Sequence, residues 1–161
     1  MEKEIKLNVN QKVAVLVDGN NIERGIGDLT QGKYTMADFD RVIPRIVENR
    51  TLTRFIYFRE GERISDKFAT KITKDFHGSV QPCGKGADVP LTIRAVQLAT
   101  KVDAVIIMSG DADYVDLVDH LKHEGVRVEI AAVKGCISGL LKDRVDHTHE
   151  MDAEDAFKWR R

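Results

Sequence analysis

The sequence predicts an α/β domain: a mainly parallel five-stranded sheet covered by helices on both faces, a three-layer sandwich. Three observations carry that expectation. Short apolar, β-branched runs such as "VAVLV" (13–17) and "AVIIM" (104–108) have the length and composition of strands buried on both faces. Segments with apolar residues at helical spacing separate them. The two periods alternate along the chain as five strands and four helices, which favours parallel strands joined by crossover helices.

In chain order, Val13 to Val17 form the first strand, stopped by Asp18 and Gly19. The stretch "TMADFDRVIPRIVEN" carries Phe39, Val42, Ile43, Ile46 and Val47 at helical spacing. Thr35 with Asp38 resembles a capping box there, and Pro44 should kink the helix. "RFIYF" (54–58) is the second strand. Ser65 is placed to cap a helix burying Phe68, Ile72 and Phe76, ended by Gly78 and followed by a short strand around "SVQP". The loop "CGKGAD" leads into a helix with Pro90 in its first turn and with Ile93, Val96 and Leu98 among its apolar positions. "AVIIMSG" (104–110) is the fourth and most apolar strand. The helix after Asp113 buries Val115, Leu117, Val118 and Leu121, stops at Gly125 and hands over to the strand "VRVEIAAV". The polar end, "EMDAEDAFKWRR", reads equally as a frayed tail or a small docking helix.

Composition bounds the rest. The 161 residues, 42% hydrophobic and 32% charged, suit one domain over 1–161 with a core of about 12–150 and a polar tail at 151–161. With 25 Lys and Arg against 26 Asp and Glu, no global positive field draws in nucleic acid, so such binding must use a local patch. Cys83 and Cys136 stand far apart without C-x-x-C spacing, which fits a reducing compartment. The start, "MEKEIKLNVNQK", lacks an apolar targeting core. No apolar run approaches the roughly 18 residues of a membrane span. A soluble cytoplasmic protein with no membrane partner is the expectation.

The chemistry concentrates in carboxylates. Ligands of open α/β sheets bind beyond the carboxyl ends of the strands, where the strand order reverses. Asp18 ends the first strand and Asp111 the fourth. If the order is 3-2-1-4-5, these strands are neighbours, so Asp18, Asp111 and Asp113 meet, and Asp88 can point to the same place. Two carboxylates 4 Å apart repel by about 4 kcal/mol at an effective dielectric near 20. Several of them together therefore need a cation or a shifted pKa. All-oxygen ligation completed by water suits Mg²⁺ or Mn²⁺ better than zinc. Each acid also has a plainer role: Asp88 and Asp113 stand where Asp is favoured as a helix cap, and Asp18 before Gly19 where it is favoured in a turn.

Three motifs, "VLVDGNNI", "GKGADVPL" and "MSGDADYVDLVDHLKHEGVRVEI", stand in the order and at the separation found in NYN domains. The stretch from about residue 12 to 150 resembles the LabA-like branch of these domains, within the PIN-like nuclease superfamily. The resemblance implies a metal-dependent ribonuclease with the 3-2-1-4-5 order, leaving 5′-phosphate and 3′-hydroxyl ends. Carried over by motif, Asp18, Asp88, Asp111 and Asp113 are the acidic metal site. Asn21 would orient the first-strand loop or contact substrate, Ser109 would bind metal or a bridging water, and Lys85 would meet phosphate. Two positions depart from the pattern. Arg94 stands where many relatives carry a further Asp, weakening a second metal site or supplying a phosphate contact. Tyr114 replaces a Phe, conservatively for packing.

Basic residues bracket the expected crevice: Arg24, Arg59, Arg63, Lys85, Arg94 and Lys134. A polynucleotide backbone would run there, although singly each reads as solvated surface. "GSVQPCGKG" is not a P-loop, because its spacing is one residue too long and Gly86 replaces the Ser or Thr that would hold Mg²⁺. No G-x-G-x-x-G follows the first strand, which removes a dinucleotide site. Asn20 stands where a phosphotransferase would want a second acid. His120, His123, His147 and His149 lack cysteines at zinc spacing. The expected function is hydrolysis of RNA phosphodiesters, with single-stranded RNA as partner and a homo-oligomer compatible with everything above. The alternative is a non-catalytic RNA- or protein-binding module that keeps the fold around a degenerate metal site, as Arg94 and the near-neutral charge suggest.

Overall fold

The computed structural model describes residues 10–61 and 64–158. Six strands, β1 (Lys12–Asp18), β2 (Thr51–Glu60), β3 (Ser79–Cys83), β4 (Ala104–Met108), β5 (Arg127–Val133) and β6 (His147–Met151), form one sheet of order β3-β2-β1-β4-β5-β6. Every pairing is parallel. The expected five-stranded sheet is thus corrected to six; the sixth strand extends the predicted order at its far edge. "HTHEM" escaped because it is a polar edge strand in which only Met151 is buried.

Parallel strands need a crossover, and the helices supply it. Helices α1 (Gly19–Leu29), α2 (Phe39–Val47) and α3 (Asp66–Phe76) cover one face, and α4 (Asp88–Leu98), α5 (Val115–His123) and α6 (Gly139–Arg144) cover the other. Along β1, Val13, Val15 and Val17 enter the first core while Ala14 and Leu16 enter the second. A strand wholly apolar in sequence is therefore wholly buried in space. The first core holds most of the aromatics, with Phe39 edge-on to both Phe55 (5.6 Å) and Tyr57 (5.8 Å).

Among the described residues six α-helices stand where four are expected. The segment "GNNIERGIGDL" carries only Ile22, Ile26 and Leu29 at helical spacing and three glycines, which makes a weak helical signal. The helix α6 is only six residues long. Asp38, not Thr35, precedes the first turn of α2, and its side chain makes no capping bond. Pro44 sits inside that helix, which continues to Val47. Ser65 caps α3 as the sequence suggests, its hydroxyl accepting from the Phe68 N–H at 3.4 Å. On α4 the inward face is Leu91, Ala95 and Leu98, whereas Ile93 and Val96 are exposed.

Up to residue 158 the expected tail belongs to the fold; 159–161 lie outside the described residues. Residues Ala153–Asp155 form a 3₁₀ turn, Ala156 bridges antiparallel to Ala37, and Asp155 is buried. Arg45 grips the Asp155 carboxylate with both terminal nitrogens at 2.8 Å, and Arg41 adds a third bond. At the amino end of the sheet, buried Glu129 accepts from Arg50, Arg127 and His149. Burial alone would raise its pKa, but these three partners reverse the sign and hold it well below the usual carboxylate range. Two of the five histidines are thereby placed: His149 on Glu129 and His147 edge-on to it. No helix of the described residues is long and apolar enough to cross a membrane.

Candidate active site

The chain leaves β1 in one direction and β4 in the other, so the sheet splits at their carboxyl ends. Asp18 is the last residue of β1 and the N-cap of α1. One carboxylate oxygen accepts from the Asn21 N–H at 3.3 Å and the other from the Tyr114 hydroxyl at 2.9 Å. Only 8% of its surface is exposed. Burial pushes its pKa up, as do the negative charges of Asp111 and Asp88; the bonds from Tyr114 and Asn21 oppose that rise.

Beyond β4 the chain turns at Ser109 and Gly110. A side chain on Gly110 would stand 2.1 Å from the Cys136 carbonyl oxygen, so only glycine lets these two loops meet. The Gly110 N–H donates to the Asn21 side chain at 3.3 Å, tying the first turn of α1 to this loop. The Ser109 hydroxyl is fully buried and accepts from the Asp111 N–H at 3.2 Å. Asp111 caps the 3₁₀ turn Ala112–Tyr114, one oxygen accepting from the Asp113 N–H at 3.0 Å. Capping and a second role are compatible, since a carboxylate has two oxygens. Asp88 opens α4, half-buried, directly after the turn at Gly86.

These segments converge on one cavity of about 190 Å³, lined by Asp18, Asp88, Asp111 and Asp113 together with Asn21 and Arg24. Asn20 and Glu60 line it too, and the Asn20 side chain accepts from the Glu60 N–H at 2.6 Å. An open groove of about 690 Å³ continues from it, sharing Asn20 and Arg24. Lys85 and Arg94 are exposed and do not line the cavity, and Ser109 lies behind it. Arg59 lines the groove and pairs with Glu23 at 3.0 Å. Lys134 is exposed at the end of β5, and Arg63 lies outside the described residues.

Two participants stand outside the set that the sequence points to. Tyr114, conservative for packing, also holds Asp18 through its hydroxyl; the replacement of Phe by a residue with one polar atom is the signal for it. Glu60 brings a fifth carboxylate, and nothing in the terminal residues of a ten-residue strand marked it.

Among the described residues no three or more His, Cys, Asp or Glu side chains are drawn tightly enough to form a ready-made metal cage. A closed four-carboxylate cage is therefore not what the fold presents. The donors are nonetheless all oxygen, they share one cavity, and the innermost is a buried carboxylate disfavoured by its neighbours' charge. That chemistry fits a hard divalent ion held by one or two carboxylates, with water completing the octahedron.

A protein of unknown function from Vibrio parahaemolyticus has the same fold, with a TM-score of 0.80 at 19% identity over 95% of this chain and 100% of that one. No curated protein matches the chain. The NYN domain model matches residues 12–152, from the start of β1 through β6. NYN domains have a PIN-like nuclease fold, are usually nucleases, bind RNA and generally use divalent metal ions. Matched from its first strand to its last, the chain belongs to the NYN domain family.

Proposed function

We propose that this chain hydrolyses RNA phosphodiesters with the help of Mg²⁺ or Mn²⁺ bound by Asp18 and Asp111, with Asp88 and Asp113 completing the acidic wall. The observation that carries it is the convergence of four carboxylates from three separate segments on one cavity at the point where the sheet splits. Bound there, such an ion supplies Lewis-acid polarisation of the phosphate and a water of lowered pKa.

The chain's own residues do the positioning. Tyr114 and the Asn21 N–H fix the Asp18 carboxylate from both sides, which keeps a buried donor in one orientation. The Asn21 side chain holds Gly110, and through it the loop that presents Asp111. Arg24, exposed on the cavity's rim, neutralises phosphate charge where substrate enters. No histidine among the described residues lines the cavity, so proton transfer falls to carboxylates and water.

A second reading, a binding module without catalysis, is favoured by one observation: the acids are not already drawn into a cage. One experiment separates the two. Labelled single-stranded RNA is incubated with Mn²⁺ or with chelator, alongside Asp111→Asn, and product ends are mapped. Cleavage in Mn²⁺ alone, absent from a folded Asp111→Asn protein, is expected; undiminished cleavage by that variant refutes the nuclease reading, and RNA bound without cleavage supports the module.

A further inference from the structure

From the groove beside the acidic cavity, we infer a subsite for the nucleotide flanking the reacting phosphate of a single-stranded RNA, with the phosphate at Arg24 and the base along α1. This rests on the nuclease reading for its orientation, but the groove stands on observations of its own.

The acidic cavity, at about 190 Å³, lies below the roughly 300–1,000 Å³ of pockets that enclose small organic ligands. It has room for a phosphate and its counter-ion, and a nucleoside must sit elsewhere. The groove, at about 690 Å³, falls inside that range and joins the cavity through Asn20 and Arg24. A strand whose phosphate sits at Arg24 therefore has its neighbouring nucleoside directed into the groove.

The groove's composition selects how that nucleoside is recognised. No aromatic residue lines it among the described residues, so a base is not held by stacking. Asn20, Asp28, Gln31 and Thr35 line it instead, and together they offer amide, hydroxyl and carboxylate groups for a base edge and a ribose hydroxyl. Such edges are free in a single strand and engaged in a duplex.

Gly27 supplies the second, independent observation. The close contacts that exclude a side chain at the other two glycines of α1, Gly19 and Gly25, are missing at Gly27. At Gly25, in the same helix, a Cβ would meet Val133 at 2.9 Å. At Gly27 the nearest atoms would be 3.9 Å away, an ordinary contact. Glycine inside a helix is unfavourable relative to alanine, and here neither packing nor backbone conformation requires it. Gly27 lines the groove, and what its missing side chain provides is space for the ligand.

The test compares Gly27, Gly27→Ala and Gly27→Leu, each in an Asp111→Asn background with Mg²⁺, by fluorescence anisotropy of a labelled six-nucleotide single-stranded RNA and of its duplex. Melting temperature is recorded for each protein. Single-stranded RNA is expected to bind progressively more weakly, by a few-fold for Gly27→Ala and tenfold or more for Gly27→Leu, while neither substitution lowers the melting temperature. Equal affinities across the three proteins, or a duplex bound at least as tightly as the single strand, overturn the subsite. A graded loss of binding across this series, together with no cleavage by the protein that keeps Asp111, would sink the nuclease reading and leave the subsite in place.

Discussion

Replacing Asp18 with Asn should stabilise the protein in chelator while destroying its proposed activity. The carboxylate is 8% exposed and shares its cavity with Asp88, Asp111, Asp113 and Glu60. At an effective dielectric near 20, one like charge 8 Å away costs about 2 kcal/mol, and two neighbours, Asp111 and Asp88, act on Asp18 in addition to its desolvation. Against this, an amide cannot accept both from the Asn21 N–H and from the Tyr114 hydroxyl as the carboxylate does, forfeiting about 1 kcal/mol. The net expectation is a gain of about 2 kcal/mol at pH 7, or roughly 4–8 °C in Tm for a domain of this size. Because the folded-state pKa is raised, burial of Asp18 is least costly when it is protonated, and stability is lost as pH rises through that pKa. The variant's advantage should therefore grow from acid to neutral pH. Differential scanning calorimetry in EDTA measures it. Millimolar Mn²⁺ should then raise the wild-type Tm more than the variant's, because binding to the native state alone adds stability. A variant clearly less stable than wild type in EDTA, or an equal Mn²⁺ shift in both, would refute the reasoning.

Tyr114→Phe removes the hydroxyl that orients Asp18 but keeps the ring; we expect RNA cleavage to fall about tenfold or more, at 1.4 kcal/mol per decade, with the far-ultraviolet circular dichroism unchanged. Wild-type activity in the purified variant would show that the bond is incidental. Glu129→Gln strips charge from a buried acid held by Arg50, Arg127 and His149, and breaking such a network costs about 3–5 kcal/mol. The Glu129 pKa is depressed in the fold, so its stabilisation is present above the unfolded value near 4.3 and fades as pH falls towards the folded one. Urea melts at pH 7 and pH 3 should therefore differ more for wild type than for the variant. Gly110→Ala places a methyl 2.1 Å from the Cys136 carbonyl oxygen; the loops must separate, lowering Tm by several degrees and displacing Asp111, and an unchanged Tm would contradict the close approach.

The residues alone determined the layers, because burial on both faces writes itself as unbroken apolar runs: Val13 to Val17 and Ala104 to Met108 could be little else. They also pointed to Asp18, Asp88, Asp111 and Asp113, since acids at strand ends in three ordered motifs are visible without coordinates, and all four line one cavity. What the sequence could not show were elements whose stability comes from contacts distant in the chain. Strand β6 exists because β5 offers it an edge. The turn after it docks because Arg41 and Arg45, more than a hundred residues earlier, reach Asp155. Helix α1 forms on two buried isoleucines and on Gly25, which lets it lie against Val133.

Tertiary structure likewise decided which side chains reach the cavity. Lys85, Arg94 and Ser109 belong to the right segments, yet an exposed loop, helical phase and a buried turn respectively keep them off its wall. Glu60 reaches the cavity from a strand end, and Tyr114, buried in a 3₁₀ turn, reaches Asp18; only the folded sheet brings them together. Apolar pattern is a property of neighbours along the chain and survives in one dimension. The meeting of an acid with a hydroxyl 96 residues away is fixed by strand order and register, and exists only in three.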